Sequence, residues 1–308
     1  MQKLFILIGL PASGKSTWAD KQPNVIRVSS DLIRKELYGD ESIQDNPQKV
    51  FSLVHKRIFE NLAAGYDVAY DAMNIKRKYR AEFIKEVRAK FPEEKLGIFG
   101  IFFATPFEMC IEANRTRERQ VPEYVMVRAY KGFNVPDFAE GFQDIFIEKR
   151  VEDSYYLPHK LIESFDISQD NPHHSLTIGK HCAEAYLYIK QHHKEICEEM
   201  GKQWAHDIAL AAISHDIGKS FCKTYTKPNG QLDDKAHFYG HESVGAYDFL
   251  CYADKDNVRL DKWAVALLIN LHMIRYMDSK YQEKIKNFYQ PQIWQALEWL
   301  NKADLAAH

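Results

Sequence analysis

With 308 residues, the chain is long enough for two domains with separate cores. Lys and Arg number 41 against 43 Asp and Glu, and a net charge of −2 excludes a strongly basic, indiscriminate nucleic-acid binder. Five cysteines, at 110, 182, 197, 222 and 251, form no C-x-x-C pair, so neither a disulfide framework nor a thiolate zinc site is expected and a reducing, cytoplasmic setting is the simplest reading. No signal peptide is expected, and the longest apolar stretch, Leu96–Ala104, is too short for a membrane span. Charge and histidine are distributed unevenly. Residues 1–150 carry a net +3 and the remainder −5, and twelve of the thirteen histidines lie at or after His159, which points to metal chemistry in the second half.

Leu4-Phe5-Ile6-Leu7-Ile8 is a continuous apolar run, the pattern of a strand buried on both faces. It leads into Gly9-Leu10-Pro11-Ala12-Ser13-Gly14-Lys15-Ser16-Thr17, which fits the phosphate-loop pattern G-x-x-x-x-G-K-[ST], with a helix expected from Ser16. Gly9, Pro11, Ala12, Ser13, Gly14, Lys15, Ser16 and Thr17 are therefore candidate nucleotide contacts. Backbone N–H groups and the helix N-terminus cradle phosphates, Lys15 reaches them, and Ser16 offers its hydroxyl to Mg²⁺. The phosphoryl donor is then ATP or another nucleoside triphosphate.

Strand-like segments at 3–8, 24–29, 67–70 and 96–103 alternate with helical ones at 15–20, 31–38, 46–64, 77–90 and 106–115, which predicts a parallel sheet flanked by helices. Ligands gather beyond the carboxyl ends of such strands, and three stretches fall there. Asp31 sits at a helix start with Arg34 one turn on. The pair reads either as an N-cap beside a surface arginine or as a general base beside a phosphate-binding arginine. Asp71 and Asn74, in Tyr70-Asp71-Ala72-Met73-Asn74, are candidates to order metal-bound water or hold the acceptor strand. In the basic run that follows, Lys76 and Lys78 read as a solvated helix face. Arg115, Arg117 and Arg119 alternate within Asn114–Pro122, a candidate mobile lid that brings positive charge over the transferring phosphoryl group.

Together these four stretches, in this order and at similar spacings, resemble the 5′-polynucleotide kinases of the phage T4 type over roughly residues 1–150. The resemblance implies that Asp31 deprotonates a 5′-hydroxyl of RNA or DNA, Arg34 binds the adjacent phosphate, Asp71 organises the site and Arg117 contacts the donor phosphates. This lid is about one residue shorter than the family's, so Arg115 or Arg119 stands as an alternative to Arg117. D-A-M-N also replaces the family's D-T-N, which leaves the roles of Met73 and Asn74 open.

Asp144–Val151 reads as a last strand or exit from the first module, and 152–171 as a linker. Beyond it nearly everything is helical in pattern, at 177–199, 203–216, 240–253, 261–276 and 291–306. Ala211-Ala212-Ile213-Ser214-His215-Asp216-Ile217-Gly218-Lys219 ends an apolar helix in adjacent His and Asp, where two neighbouring ligands serve one ion and the carboxylate bridges to a second. This stretch, with His181, His241 in F-Y-G-H-E, His272, and Asp304 in A-D-L, resembles the HD superfamily of metal phosphohydrolases over about 172–308, and the HD domain of bacterial CCA-adding enzymes in particular. The resemblance implies metal ligands at His181, His215, Asp216 and Asp304, a second site completed by His241 and His272, and Lys219 on a substrate phosphate. His174 competes with His181 for the first ligand position. The ion is Mn²⁺, Zn²⁺, Ni²⁺, Co²⁺, Fe²⁺ or Mg²⁺.

The expected architecture is an α/β P-loop kinase (1–151), a linker (152–171) and an all-α HD domain (172–308). The expected function is nucleic-acid end healing, with RNA the favoured strand. A 5′-hydroxyl is phosphorylated and a 2′,3′-cyclic, 3′- or 2′-phosphate removed, leaving ends for an RNA ligase in a bacterial or phage setting without a membrane partner. Two rivals are a small-metabolite or nucleoside kinase fused to a mononucleotide phosphohydrolase, and a kinase with a non-catalytic HD module for RNA binding or sensing.

Overall fold

The computed structural model describes residues 1–149, 156–171, 175–253 and 261–307; His174 lies outside them. The chain divides into two compact units, Met1–Ala129 with Pro136–Val151, and Tyr130–Val135 with Glu152–His308.

In the first unit, strands β1 (Gln2–Ile8), β2 (Val25–Ser29), β3 (Asp67–Asp71), β4 (Leu96–Ala104) and β5 (Asp144–Lys149) form one sheet in the order β2-β3-β1-β4-β5, parallel throughout. Parallel neighbours need crossovers, supplied here by α1 (Lys15–Asp20), α2 (Ser30–Tyr38), α3 (Pro47–Ala63), α4 (Arg77–Lys90), α5 (Phe107–Arg115) and α6 (Glu123–Tyr130). Helices on both faces explain why β1 and β4 are apolar without alternation: Leu4, Ile6, Leu7, Ile8, Leu96, Ile98 and Phe102 are fully buried. The sheet and the helices follow the expected alternation closely. Because β1 lies between β3 and β4, the loop after it opens at the point where strand order reverses, the place where such sheets bind ligands.

In the second unit, α7 (Tyr156–Ser164) lies inside the segment read as a linker. It is followed by α8 (Ile178–Gln191), α9 (His193–Met200), α10 (Lys202–Ser214), α11 (Lys219–Cys222), α12 (His241–Tyr252), α13 (Lys262–Leu271), α14 (Ser279–Phe288) and α15 (Pro291–Ala306). A short antiparallel hairpin, β6 (Thr224–Thr226) and β7 (Leu232–His237), interrupts the helical succession. The core is built from helices that are apolar nearly all round: Ile208, Ala211 and Ala212 of α10 and Val265, Leu268 and Ile269 of α13 are fully buried. Tyr130 and Phe133, read by sequence as part of the first module, pack edge-on against Tyr247 of α12. No helix among the described residues is long and apolar enough to cross a membrane.

Candidate active sites: a phosphate loop and a histidine–aspartate cluster

The loop after β1 coils through left-handed backbone at Ala12 (φ 61°) and Gly14 (φ 102°), a conformation that turns successive N–H groups to one side and costs least at glycine. Thr105, at the end of β4, donates its hydroxyl to Ser13 O at 2.9 Å and fixes the loop from outside. The Lys15 ammonium is buried and donates to Gly9 O (2.9 Å) and Leu10 O (2.6 Å). Burial pushes its pKa down. Asp71, the Cys110 sulfur and Asp31 oppose this, and the Arg117 charge adds to the lowering. Lys15, Asp71, Asp31 and Arg117 thus share one electrostatic neighbourhood.

Ser16 donates its hydroxyl to Asp71 Oδ2 at 2.8 Å, and Arg27 of β2 lies 3.7 Å from the same oxygen. Burial raises the Asp71 pKa, while Lys15, Ser16 and Arg27 hold it down. Arg27 went unnoticed in the sequence; its signal is a cation in the otherwise apolar strand V-I-R-V-S. Asp31 opens α2, with Ser29 as the cap whose hydroxyl accepts from Leu32 N. Its two oxygens are divided: Oδ1 accepts from Arg34 at 3.0 Å and Oδ2 from Arg119 at 2.8 Å. Within the lid, Arg119 reaches Asp31, whereas Arg115 and Arg117 are exposed. Asn114 clasps the base of that lid, donating to Val121 O (2.8 Å) and accepting from Val121 N (2.9 Å).

The D-A-M-N segment serves as a latch. Gly9 N donates to Met73 O, and Asn74, itself left-handed at φ 48°, donates to Leu7 O and Tyr70 O. Arg80 donates to Asn74 O and forms a two-pronged ion pair with Glu140 at 2.7 and 2.6 Å, both side chains fully buried.

The second unit gathers six sequence-distant residues. His181 comes from α8, His215 and Asp216 from the end of α10, His241 from the first turn of α12, His272 from the end of α13 and Asp304 from α15. They form two triads, His181/His215/Asp304 and Asp216/His241/His272, with ligand atoms of each within 4.8 Å of one another. Asp216 faces both: Oδ1 lies 3.2 Å from His241 Nε2 and 3.6 Å from His272 Nε2, and Oδ2 lies 3.6 Å from His181 Nε2 and 3.5 Å from His215 Nε2. A close approach underlies this: a Cβ on Gly218 would stand 2.2 Å from His241 O, so only glycine lets the turn after Asp216 lie against α12.

The protonation logic of the cluster is decisive. Each imidazole sets Nδ1 against a backbone carbonyl: His181 on Ala307 (2.7 Å), His215 on Ala212 (2.8 Å), His241 on Phe238 (2.8 Å) and His272 on Ile269 (2.7 Å). A carbonyl only accepts, so Nδ1 carries the proton and Nε2 of each neutral ring is a bare lone pair. Those lone pairs then face one another, His181 to His215 at 3.2 Å and His241 to His272 at 3.1 Å, with carboxylate oxygens between them. A buried cluster composed of acceptors is unfavourable unless a cation fills it. Edges of this length suit ligand bonds of about 2.1 Å. Asp216 Oδ2 also has no in-line hydrogen bond, although Lys219 Nζ lies 2.6 Å away. The residues fit a divalent metal.

Burial pushes the Asp216 pKa up, but the Lys219 ammonium beside it pulls the other way and holds the carboxyl well below the usual range. Lys219, buried, is shared between Asp216 and the Gln169 side-chain carbonyl at 2.8 Å.

Residues 4–136 match the model of the AAA domain, and residues 174–298 match that of the HD domain. A chain in the structure of the Pnkp1/Rnl/Hen1 complex is 26% identical over 39% of this chain and 41% of its own, with a TM-score of 0.31. One in the structure of the Pnkp1/Rnl/Hen1 RNA repair complex is 22% identical over 42% of each, with a TM-score of 0.35. The chain spans less than half the length of these solved chains. No curated protein matches it. The phosphate loop falls within the residues that match the P-loop kinase-like AAA domain model, and His181, His215, Asp216, His241 and His272 fall within those that match the HD domain model.

Proposed function

We propose that this protein heals broken RNA ends, with a 5′-hydroxyl kinase in the first unit and a phosphohydrolase for 2′,3′-cyclic or terminal phosphates in the second. The observation that carries the reading is chemical: the second unit buries an acceptor-rich cage for divalent ions, while the first sets a doubly held carboxylate, Asp31, beside a phosphate loop.

In the kinase, the loop N–H groups and Lys15 hold the triphosphate, and the Ser16 hydroxyl is placed for Mg²⁺. Asp31 accepts the proton of the attacking 5′-hydroxyl, and Arg34 binds the neighbouring strand phosphate. Arg117 and Arg119 supply positive charge where the phosphoryl group is transferred. Asp71, held by Ser16 and Arg27, orders this side of the pocket.

In the hydrolase, His181, His215 and Asp304 would hold one ion and Asp216, His241 and His272 another, with Asp216 facing both groups. A bound transition-metal ion or Mg²⁺ supplies Lewis acidity and an acidified water. Lys219 binds a phosphate oxygen. The resulting 5′-phosphate and 3′-hydroxyl are the ends a ligase joins, which makes an RNA ligase the expected next enzyme.

The test offers a 5′-hydroxyl RNA ending in a 2′,3′-cyclic phosphate, with ATP and a divalent metal, and reads both termini. Asp31→Ala should abolish 5′ phosphorylation and spare 3′ healing, and Asp216→Ala should do the reverse. Loss of both activities from either change, or equal turnover of free nucleosides and nucleotides, overturns the proposal.

A further inference from the structure

Lys219 is the one cation placed against the bridging carboxylate Asp216 among the described residues, and its second polar partner is Gln169, from the segment before α8. Gln169 is 1% exposed, and its orientation is fixed from both ends: Nε2 donates to Leu176 O (3.2 Å) while Oε1 accepts from Lys219 (2.8 Å). A flipped amide would put an NH₂ against an ammonium. The strap bearing it is pinned in turn. Ala236 N donates to Asp170 O at 3.0 Å, and Lys223 donates to Ser168 O at 2.6 Å and pairs with Asp170 at 2.7 Å. The ring of Phe238, 5.3 Å from Lys219 Nζ, bounds the ammonium on another side.

Lys219 already has one carboxylate partner in Asp216; a second at position 169 would leave net negative charge around the ammonium, whereas an amide holds it without adding charge. We propose that Gln169 is a positioning residue of the HD site, fixing the Lys219 ammonium beside Asp216 without setting a second negative charge against a substrate phosphate. This rests on the hydrolase reading above and sharpens its substrate class. An ammonium paired with one carboxylate rather than two gains more from a dianionic phosphate monoester than from a monoanionic cyclic diester, so the amide favours terminal monoesters.

The experiment uses the full chain, loaded with Mn²⁺, and the variants Gln169→Glu, Gln169→Leu, Lys219→Met and the two double variants with Lys219→Met. Inorganic phosphate binding is read by calorimetry as the component that Asp216→Ala removes, and metal content and 5′-kinase activity report folding. Gln169→Glu should weaken phosphate binding on the order of tenfold, and should lower kcat/KM for p-nitrophenyl phosphate on the order of tenfold while moving bis(p-nitrophenyl) phosphate much less. Gln169→Leu should raise KM for both esters with metal content unchanged. Neither substitution should add to Lys219→Met. Additive effects, equal losses on the two esters in Gln169→Glu, or no phosphate binding that depends on Asp216 would overturn the inference. Phosphate binding that follows this pattern without any hydrolysis would instead sink the hydrolase reading and leave Gln169's role standing.

Discussion

Arg119 and Asp31 lie 88 positions apart in sequence, yet the guanidinium donates to the carboxylate at 2.8 Å. With Arg34 on the other oxygen, Asp31 is aimed by two cations, one from its own helix and one from the lid. Arg119→Ala should therefore lower kcat for 5′ phosphorylation, on the order of a hundredfold, by loosening the base and removing charge from the transfer site. Arg117→Ala removes a charge felt at Lys15 and should mainly raise KM for ATP. Steady-state kinetics with both substrates varied separates the two; equal effects on both parameters would refute the division of labour.

Asn114 bonds both the N–H and the carbonyl of Val121, so the lid is tied at its neck. Asn114→Ala should cost about 1–3 kcal/mol of local stability there. Hydrogen exchange at the Val121 amide should accelerate more than tenfold while β1 amides stay protected. Unchanged exchange at Val121 would show that the lid is held elsewhere.

Arg80 and Glu140 are a fully buried pair, and truncating one partner strands the other's charge. Arg80→Met should destabilise the first unit by about 3–5 kcal/mol, while Arg80→Met with Glu140→Leu should recover most of the loss. Burial raises the Glu140 pKa, opposed by Arg80, so this carboxyl contributes most to stability in its protonated form. That contribution is full below the ordinary glutamate value of 4.5 and is lost as pH rises through the elevated folded value. The deficit of Arg80→Met should accordingly shrink in acid. Urea unfolding across this range checks the sign.

Asp216 belongs to one triad and faces the other, so metal content should fall unequally on substitution. His272→Ala should leave one ion per chain, and Asp216→Ala should leave none tightly held, as read by elemental analysis after dialysis. Binding should weaken in acid, because each Nε2 must be free of its proton to hold an ion. Two ions retained in Asp216→Ala would refute a shared ligand.

Much of this was legible in the sequence because its signals are local. The apolar runs of β1 and β4 and the glycine pattern after β1 each fix a neighbourhood of a few residues. What failed to show was long-range. The pairing of Arg80 with Glu140 spans 60 positions, and no spacing rule says that the arginine in K-R-K-Y-R goes inward while its neighbours read as solvent-facing. Which lid arginine pairs with Asp31 depends on how the loop folds back toward α2. β7 was invisible because L-D-D-K-A-H lacks alternating apolar residues; Asn229-Gly230 ahead of it, with Gly230 at φ 85°, was the available hairpin signal. Asn74 looked like a substrate contact, but its amide is spent on Leu7 and Tyr70 carbonyls. The segment of Gln169 read as a linker because it is polar; its burial follows from the lysine it faces.

The sharing of Asp216 has a consequence for turnover. Two carboxylates cannot offset two divalent cations, and Lys219 widens the imbalance. On the proposed reading, a cage holding two such ions would attract anions, capturing a phosphate end readily and surrendering inorganic phosphate slowly. Release of the detached group, rather than bond breaking, should then pace the rear half of the molecule, and free phosphate should act as its competitive inhibitor.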